Sequence, residues 1–160
     1  MNRRTLLTAA LFAGATALIA PRLLAAPRPK GRAGWQLTEA EWKKRLSSQQ
    51  YYVLRQAGTE RAFSHPLDKE QRKGQFQCAG CKLPLFDSAR KYDSGTGWPS
   101  FWAPLAGAIG TMTDYNIGFP RTEVHCRRCG GHLGHVFDDG PRPTGKRYCM
   151  NGAALVFRAG

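Results

Sequence analysis

The sequence predicts a mainly β domain of short antiparallel strands, with helical structure near its N-terminal end and one zinc site built from cysteines. Three observations support this prediction. Short apolar runs recur from about residue 74 onward. Glycine, proline and aromatic residues separate these runs every few positions, as in turns between strands. Two Cys-x-x-Cys pairs occur 44 residues apart, and four thiolates in such pairs are a typical tetrahedral zinc site.

The first 26 residues have the features of a secretory signal. Arg3 and Arg4 precede an uncharged run over residues 5–20, and small residues follow it. The run of 16 residues is short for a membrane span, which needs roughly 20. The adjacent arginines are typical of twin-arginine signals, which export folded bacterial proteins. We expect residues 1–26 to direct export to the bacterial periplasm; an uncleaved leader that anchors the chain in the membrane is the alternative.

The chain is strongly basic, with a formal charge of +13 over 160 residues. Removal of the leader would leave +10, and one zinc ion on four thiolates would lower this to about +8. A charge of this size attracts nucleic acid or anionic membranes. However, the basic residues are scattered and form no long block, which favours a solvated basic surface. We therefore expect no nucleic-acid partner; a zinc-stabilised nucleic-acid-binding module is the alternative, and it predicts salt-dependent binding.

Residues 27–34 are rich in proline and glycine, which predicts a linker before a domain over residues 35–160. A helix is predicted from Glu39 to about Gln49. Thr38 and Glu41 have the spacing of a capping box, and Leu37 and Trp42 have that of a hydrophobic staple.

The end of this helical unit is less defined. Residues 51–54 are compatible with the end of the helix or with an extended segment, and Gly58 is predicted to end the unit. Beyond it, the apolar runs predict short strands at residues 74–77, 83–86, 117–119, around 124, and at 133–137 and 153–157.

The two cysteine pairs are predicted to hold one structural zinc ion. Each pair puts two sulfur atoms on one tight turn, which Gly80 or Gly130 would ease. We expect the ligands to be Cys78, Cys81, Cys126 and Cys129. Two disulfides are the alternative in an oxidising compartment, and His125 could replace one cysteine ligand.

Cys149 is the odd cysteine, and an odd cysteine with histidines elsewhere in the chain is a candidate nucleophile. Alternation along a strand would put Arg147, Cys149 and Asn151 on one face. Arg147 would then favour the thiolate, and Asn151 could donate hydrogen bonds to a polar group of a substrate. The inert alternative is a buried structural thiol.

Two further motifs could converge on this thiol. Trp98 lies in a glycine- and proline-rich loop, where its ring could line a pocket for a methyl group beside a sulfur atom. His132 and His135 could supply a proton or hold a water molecule. Because they are three apart, they would face opposite sides of a regular strand, so a turn at Gly134 would be needed.

With these motifs, the chain resembles the B-type methionine-R-sulfoxide reductases. The resemblance runs from about residue 42 to 157 and rests on residues 78–81, 92–101, 125–141 and 147–152. It implies a zinc-containing β fold of two antiparallel sheets with a few peripheral helices. It also implies that Cys149 is catalytic, that Trp98 binds the methyl group, that His132 and His135 handle protons and water, and that Arg147 and Asn151 support them.

The resemblance further implies a reaction. The Cys149 thiolate attacks the sulfur of a methionine-R-sulfoxide in an oxidised protein, methionine is released, and Cys149 becomes a sulfenic acid. Many family members carry a resolving cysteine where this chain has Thr96. We therefore expect an external reductant, either a thioredoxin-like protein or a small thiol, and we expect a monomer. A sensor in which peroxide oxidises Cys149 without sulfoxide turnover is a further alternative.

Overall fold

The computed structural model describes residues 29–115 and 117–160, so the expected signal over residues 1–26 lies outside the described part of the chain. The described chain forms two helices, α1 (Glu39–Arg45) and α2 (Ser48–Gln56), followed by nine strands. These are β1 (Gly74–Cys78), β2 (Pro84–Asp87), β3 (Lys91–Tyr92), β4 (Ser100–Phe101), β5 (Ile109–Asp114), β6 (Arg121–Cys126), β7 (His132–Phe137), β8 (Arg147–Met150) and β9 (Leu155–Ala159).

All of the strand pairs are antiparallel and form two sheets. The small sheet has the order β2-β1-β9, and the large sheet has the order β3-β4-β8-β7-β6-β5. The predicted fold class is therefore confirmed: the domain is mainly β, has two antiparallel sheets, and carries its two helices at the N-terminal side.

The single helix predicted from Glu39 to about Gln49 is wrong in extent. The capping box of Thr38 and Glu41 forms as predicted, with the Thr38 N–H 2.7 Å from Glu41 Oε2. However, α1 ends at Arg45, because Ser47 caps a second helix through its own capping box with Gln50. The segment 51–54, which the sequence left open, is helical, and α2 ends just before Gly58.

Two strand predictions are also wrong. Residues 117–119 form the turn of the β5–β6 hairpin instead of a strand, and β3, β4 and β5 were not predicted. Alternating small, polar and apolar residues in β5 produce no continuous apolar run. The last strand begins at Leu155 rather than 153, because Gly152–Ala154 forms a short 3-10 turn.

Aromatic side chains join the two sheets. Phe76 and Phe86 from the small sheet contact Phe101 from the large sheet, with ring centroids 4.9 and 4.3 Å apart, and all three are fully buried. The helix α2 packs against β7 and the 3-10 turn Gly152–Ala154, and it buries Val53 and Leu54 there. The helix α2 thus lies directly against the strand that carries both histidines.

The segment expected to be a linker packs against the domain over its described residues. The Arg32 N–H donates to the Arg128 carbonyl at 2.9 Å, and Gln36 donates to the Gly31 carbonyl at 3.1 Å. Neither helix in the described residues has the length and hydrophobicity that a membrane span requires.

Candidate active site

The four cysteines of the two Cys-x-x-Cys pairs form one buried cluster. Their sulfur atoms all lie within 4.8 Å of one another, and the closest contacts are 3.6 Å for Cys78–Cys129 and 3.5 Å for Cys81–Cys126. Sulfur atoms around a tetrahedral zinc ion with Zn–S bonds of about 2.3 Å would be ~3.8 Å apart. These distances fit one structural zinc ion and are far longer than the roughly 2.05 Å of a disulfide bond.

Each cysteine pair sits on a tight turn closed by a backbone hydrogen bond. Lys82 N–H donates to the Cys78 carbonyl at 2.8 Å, and Gly130 N–H donates to the Cys126 carbonyl at 2.9 Å. The left-handed positions of these turns are Lys82 (φ 59°) and Gly130 (φ 69°), so the expected role of Gly80 was wrong. His125 does not belong to the cluster of candidate ligands in the described residues.

Cys149 lies in β8, near the centre of the large sheet. In the strand register it is paired with Ser100 of β4 on one side and with His135 of β7 on the other. Directly paired residues project from the same face of an antiparallel sheet, so these three side chains form one row. A glycine at position 134 allows β7 and β8 to approach each other here. A Cβ atom at this position would lie only 2.1 Å from the Cys149 carbonyl oxygen and would clash with it.

A small cavity of about 120 Å³ opens over this row. Trp98 and Asn151, two of the predicted site residues, line it together with Cys149 and His135. The indole N–H of Trp98 donates to the Glu60 carbonyl at 3.2 Å, which fixes the ring. The remaining lining residues, which the sequence did not single out as site residues, are Thr59, Arg121, Gly134 and Phe137.

The Cys149 thiol is partly exposed and contacts hydroxyl groups. Its sulfur lies 3.8 Å from Thr96 Oγ1, which in turn lies 2.8 Å from Ser94 Oγ. Burial raises the pKa of Cys149, while the Thr96 hydrogen bond and the charge of Arg147 lower it. The charge of Arg147 thus acts in favour of the thiolate, but burial has the larger effect and leaves the pKa of Cys149 above that of a free thiol.

Arg147 itself stands beside the cavity rather than in its lining. Its guanidinium donates two hydrogen bonds of 2.8 Å to the Asp139 carboxylate and lies 4.4 Å from the centroid of the Phe137 ring. The predicted alternation holds only as far as Met150, where β8 ends. Asn151 reaches the cavity from the following turn, with its amide donating to the Leu133 carbonyl at 3.1 Å.

His132 and His135 are brought onto one side of the sheet by a β-bulge, not by a turn. Opposite the regular strand β6, His132 pairs with His125 and Gly134 pairs with Val124, which leaves Leu133 as an extra residue. The two imidazole centroids are 5.3 Å apart as a result. The prediction that the regular alternation of β7 must be interrupted between His132 and His135 was correct. The interruption is a β-bulge at Leu133, however, and not the predicted turn at Gly134.

The two histidines occupy different positions. The Nε2 atom of His135 lies 2.8 Å from Asp114 Oδ2, which also accepts a 2.7 Å hydrogen bond from Arg121. Burial lowers the pKa of His135, and Asp114 opposes this effect. His132 is 1% exposed and does not line the cavity; its Nδ1 atom lies 2.9 Å from Glu123 Oε1.

Glu60 is a buried residue of the site that the sequence did not indicate. Its carboxylate accepts hydrogen bonds from the backbone N–H groups of Gly152 and Ala153, and its own N–H donates to Asn151 Oδ1. In the sequence it stands beside Arg61, where it has the appearance of a surface ion pair. The residues around Glu60 in the sequence do not show that it is buried, because its hydrogen-bond partners at residues 151–153 are distant along the chain.

Comparison with known proteins agrees with this geometry. The family model described as the SelR domain matches residues 46–159. The chain belongs to the SelR domain family. The SelR domain thus covers α2, all nine strands, the cysteine cluster and every residue that lines the cavity.

Relatives of this SelR domain protein come from plants, bacteria and archaea. The chloroplastic peptide methionine sulfoxide reductase B1 of Arabidopsis thaliana is 56% identical over 124 residues, which are 77% of this chain and 61% of that protein. A peptide methionine sulfoxide reductase MsrB of Leptospira interrogans is 53% identical and is covered over 93% of its length. That of Methanosarcina barkeri is 52% identical and covered over 86%. The chain thus spans about three fifths of the chloroplastic relative and most of the two microbial ones.

Proposed function

We propose that this protein is a peptide-methionine (R)-S-oxide reductase in which Cys149 is the nucleophile. The observation that carries the proposal is the partly exposed Cys149 thiol in a cavity shared with Trp98 and His135. A cavity of about 120 Å³ has room for the methylsulfinyl end of one side chain. The indole ring offers an apolar wall for the methyl group, and the names of the relatives point to the same substrate.

The proposed first step is an oxygen transfer between two sulfur atoms. The Cys149 thiolate attacks the sulfoxide sulfur and forms a transient S–S bond, while the oxygen takes up one proton. The oxygen then moves to the Cys149 sulfur as the S–S bond breaks, and methionine is released. The S–O bond of the sulfoxide is broken, and an S–O bond to Cys149 is formed. Methionine sulfur is reduced by two electrons, and Cys149 is oxidised by two electrons to a sulfenic acid.

We assign the proton supply to His135, because its ring lines the cavity beside Cys149. Asp114 holds this ring through its 2.8 Å contact with Nε2. We assign His132 a supporting role, in which its buried ring packs against His135. Arg147 supports the thiolate by its charge, and Asn151 would position the substrate from the cavity lining.

The sulfenic acid must then be reduced from outside the chain. Cys78, Cys81, Cys126 and Cys129 are the zinc ligands, and zinc contributes folding energy rather than chemistry in a closed four-thiolate site. The remaining neighbour of Cys149 at the expected resolving position is Thr96, which has no thiol. One external thiol would attack the sulfenic sulfur and release water, and a second would free Cys149 and leave as a disulfide. The donor would be a thioredoxin-like protein or a small thiol.

The domain organisation completes the proposal. Residues 1–26 would act as a twin-arginine-type signal, residues 27–34 as a linker, and residues 35–160 as a monomeric catalytic domain that works after export. An uncleaved leader that anchors the domain is the alternative. Fractionation of cells, with the N-terminus of the mature protein determined by mass spectrometry, would separate the two.

The test is reduction of peptide-bound methionine sulfoxide, with the R and S epimers assayed separately and dithiothreitol as the donor. The wild type should reduce the R epimer alone, and Cys149→Ser should be inactive while it retains zinc and fold. The matched control is Thr96→Ser, which keeps a hydroxyl at the neighbouring position. Absence of turnover in a folded, zinc-loaded wild type would reject the proposal and leave the peroxide sensor as the explanation for the thiol.

A further inference from the structure

Most of the exposed large hydrophobic side chains in the described residues belong to segments that adjoin cavity residues. Five such side chains are exposed, namely Tyr52, Phe63, Tyr115, Ile117 and Phe119. Scattered exposed hydrophobic residues are normal on a protein surface. Four of these five, however, belong to two segments that adjoin cavity residues, one beside Trp98 and one beside Arg121, and such clustering marks interaction surfaces.

The first segment is the turn of the β5–β6 hairpin, which we call the hairpin tip and define by Tyr115, Ile117 and Phe119. Their side chains are 64%, 51% and 58% exposed. The last paired residues below the tip are Asp114 and Arg121. Arg121 lines the cavity, and Asp114 holds His135. The hairpin tip therefore leaves the sheet at the cavity wall.

The second part of this surface is a single residue, Phe63, which is 65% exposed. Its N–H donates to the Gly97 carbonyl at 2.8 Å, and its ring lies so close that a Cβ atom on Gly97 would be 2.7 Å from it. Phe63 thus covers the loop that carries Trp98. Since β8 lies between β4 and β7, this loop and the hairpin tip are on opposite sides of Cys149.

The backbone at Phe63 is unfavourable for its residue type. Its φ of 61° lies in the left-handed region, which bulky aromatic residues rarely adopt. Strained residues of this kind cluster at functional sites and ligand clamps. The fold here accepts strain and exposes an aromatic ring to water, although neither effect stabilises the domain. A strained and exposed phenylalanine beside the loop that carries a cavity residue points to a ligand that covers its ring.

We propose that Phe63 and the hairpin tip form a two-sided apolar rim that binds extended polypeptide with apolar residues on both sides of the oxidised methionine. This inference rests on the proposed function. A cavity of about 120 Å³ accepts only the end of the methionine side chain, so the flanking residues must cross its rim. The rim should therefore raise kcat/KM for substrates that carry apolar residues beside the oxidised methionine.

The test compares three substrates with dithiothreitol as the reductant, so that no protein donor needs to dock. They are N-acetyl-methionine-R-sulfoxide amide, a pentapeptide with leucine on both sides of methionine-R-sulfoxide, and the same peptide with serine in place of leucine. The wild type should show a kcat/KM about tenfold higher for the leucine peptide than for the serine peptide, because two leucines become partly buried.

The variants are Phe63→Asn, since asparagine tolerates left-handed backbone, and the double variant Ile117→Ser with Phe119→Ser. Each should reduce the preference for leucine about threefold and leave the N-acetyl amide within twofold of the wild type. The matched control is Tyr52→Ser, which removes a ring that is 49% exposed and packs against Gly58 rather than at the rim. Zinc content and the unfolding midpoint check that each variant is folded.

Each other outcome is decisive. The proposed rim would be overturned if the wild type had equal kcat/KM values for the two peptides. It would also be overturned if Tyr52→Ser lost as much of the preference for leucine as the rim variants. A parallel loss on the N-acetyl amide would also overturn the rim, because it would show that these residues support the cavity itself and not the flanking residues of the substrate. A defect seen only with a thioredoxin-like donor would assign the surface to the reductant instead. Failure of the wild type on all three substrates would reject the proposed function, whereas turnover without peptide preference would reject only this inference.

Discussion

The backbone N–H of Glu60 donates a hydrogen bond of 3.0 Å to Asn151 Oδ1, although 91 positions separate the two residues. The carboxylate of Glu60 binds the next two backbone N–H groups, those of Gly152 and Ala153, and its carbonyl accepts from the Trp98 indole. One buried residue therefore fixes the turn that follows Cys149 and the aromatic wall of the cavity at the same time.

Replacement of Glu60 by alanine should destabilise the protein and disturb the cavity. Two buried N–H groups would lose their acceptor, which should lower the free energy of unfolding by about 3 kcal/mol. Urea unfolding measures this effect. Glu60→Gln keeps one acceptor and should lose less. The control is Glu39→Ala, which removes an exposed partner of Lys43 and should leave the midpoint unchanged. Equal midpoints for Glu60→Ala and the control would contradict the structural role of Glu60.

Arg147→Gln should shift the reactivity of Cys149 to higher pH. The charge of Arg147 lowers the pKa of Cys149 against the larger effect of burial, so its loss raises that pKa further. Because the thiolate is the reactive form, alkylation of Cys149 by iodoacetamide at pH 8 should slow severalfold, and its pH profile should move to higher pH. Mass spectrometry of the Cys149 peptide, taken over a series of pH values, gives the profile.

Lys146→Gln is the matched control for this experiment. It also removes one positive charge close to Cys149 in sequence, three residues before it, but Lys146 pairs with the exposed Asp138. Its profile should coincide with that of the wild type. Identical alkaline shifts in the two variants would indicate a general effect of net charge, and no shift in Arg147→Gln would refute the role of its guanidinium.

Thr96→Cys should convert the one-cysteine cycle into one with an internal disulfide. Thr96 Oγ1 lies 3.8 Å from Cys149 Sγ, so small movements would bring a thiol at this position to the roughly 2.05 Å of a disulfide bond. After one turnover without reductant, peptide mapping should find a 96–149 disulfide in the variant. The wild type should instead yield a Cys149 sulfenic acid that dimedone traps. A Cys149 disulfide within the wild-type chain would contradict the proposed cycle.

Zinc removal should unfold the domain. Structural zinc sites contribute roughly 10–16 kcal/mol of apparent binding energy, which is folding energy for the two turns that they join. We expect one zinc ion per chain by elemental analysis, loss of cooperative unfolding in Cys81→Ser, and retention of zinc in Cys149→Ser. Thiol titration of the denatured wild type should find five free thiols. A single free thiol would instead indicate two disulfides.

Local patterns in the sequence were sufficient for several features. The two Cys-x-x-Cys pairs predicted the ligands of the metal site, since two sulfur atoms on one tight turn need only local backbone geometry. The capping box at Thr38 predicted where α1 begins, because both of its hydrogen bonds lie within four residues. The same logic applied to Ser47 and Gln50 would have predicted the break between the helices.

Other features required contacts between distant segments. The bulge that aligns His132 with His135 depends on pairing between β6 and β7, which residue spacing does not specify. The hairpin tip has the composition of a strand but lies beyond the last paired residues, Asp114 and Arg121. An apolar run forms a strand only where a partner strand supplies hydrogen bonds, and here none of the described strands does so.

The class of fold, the expected zinc ligands, the odd thiol and the family resemblance could all be predicted from local sequence, because each is encoded in residue types at short spacing. How these parts act together depends on the packing of the whole chain. That packing placed His135 and Ser100 beside Cys149, set the pKa of that thiol by burial, and brought in Glu60 and Asp114. Register, burial and long-range hydrogen bonds arise only when the whole chain has packed, so no local pattern contains them.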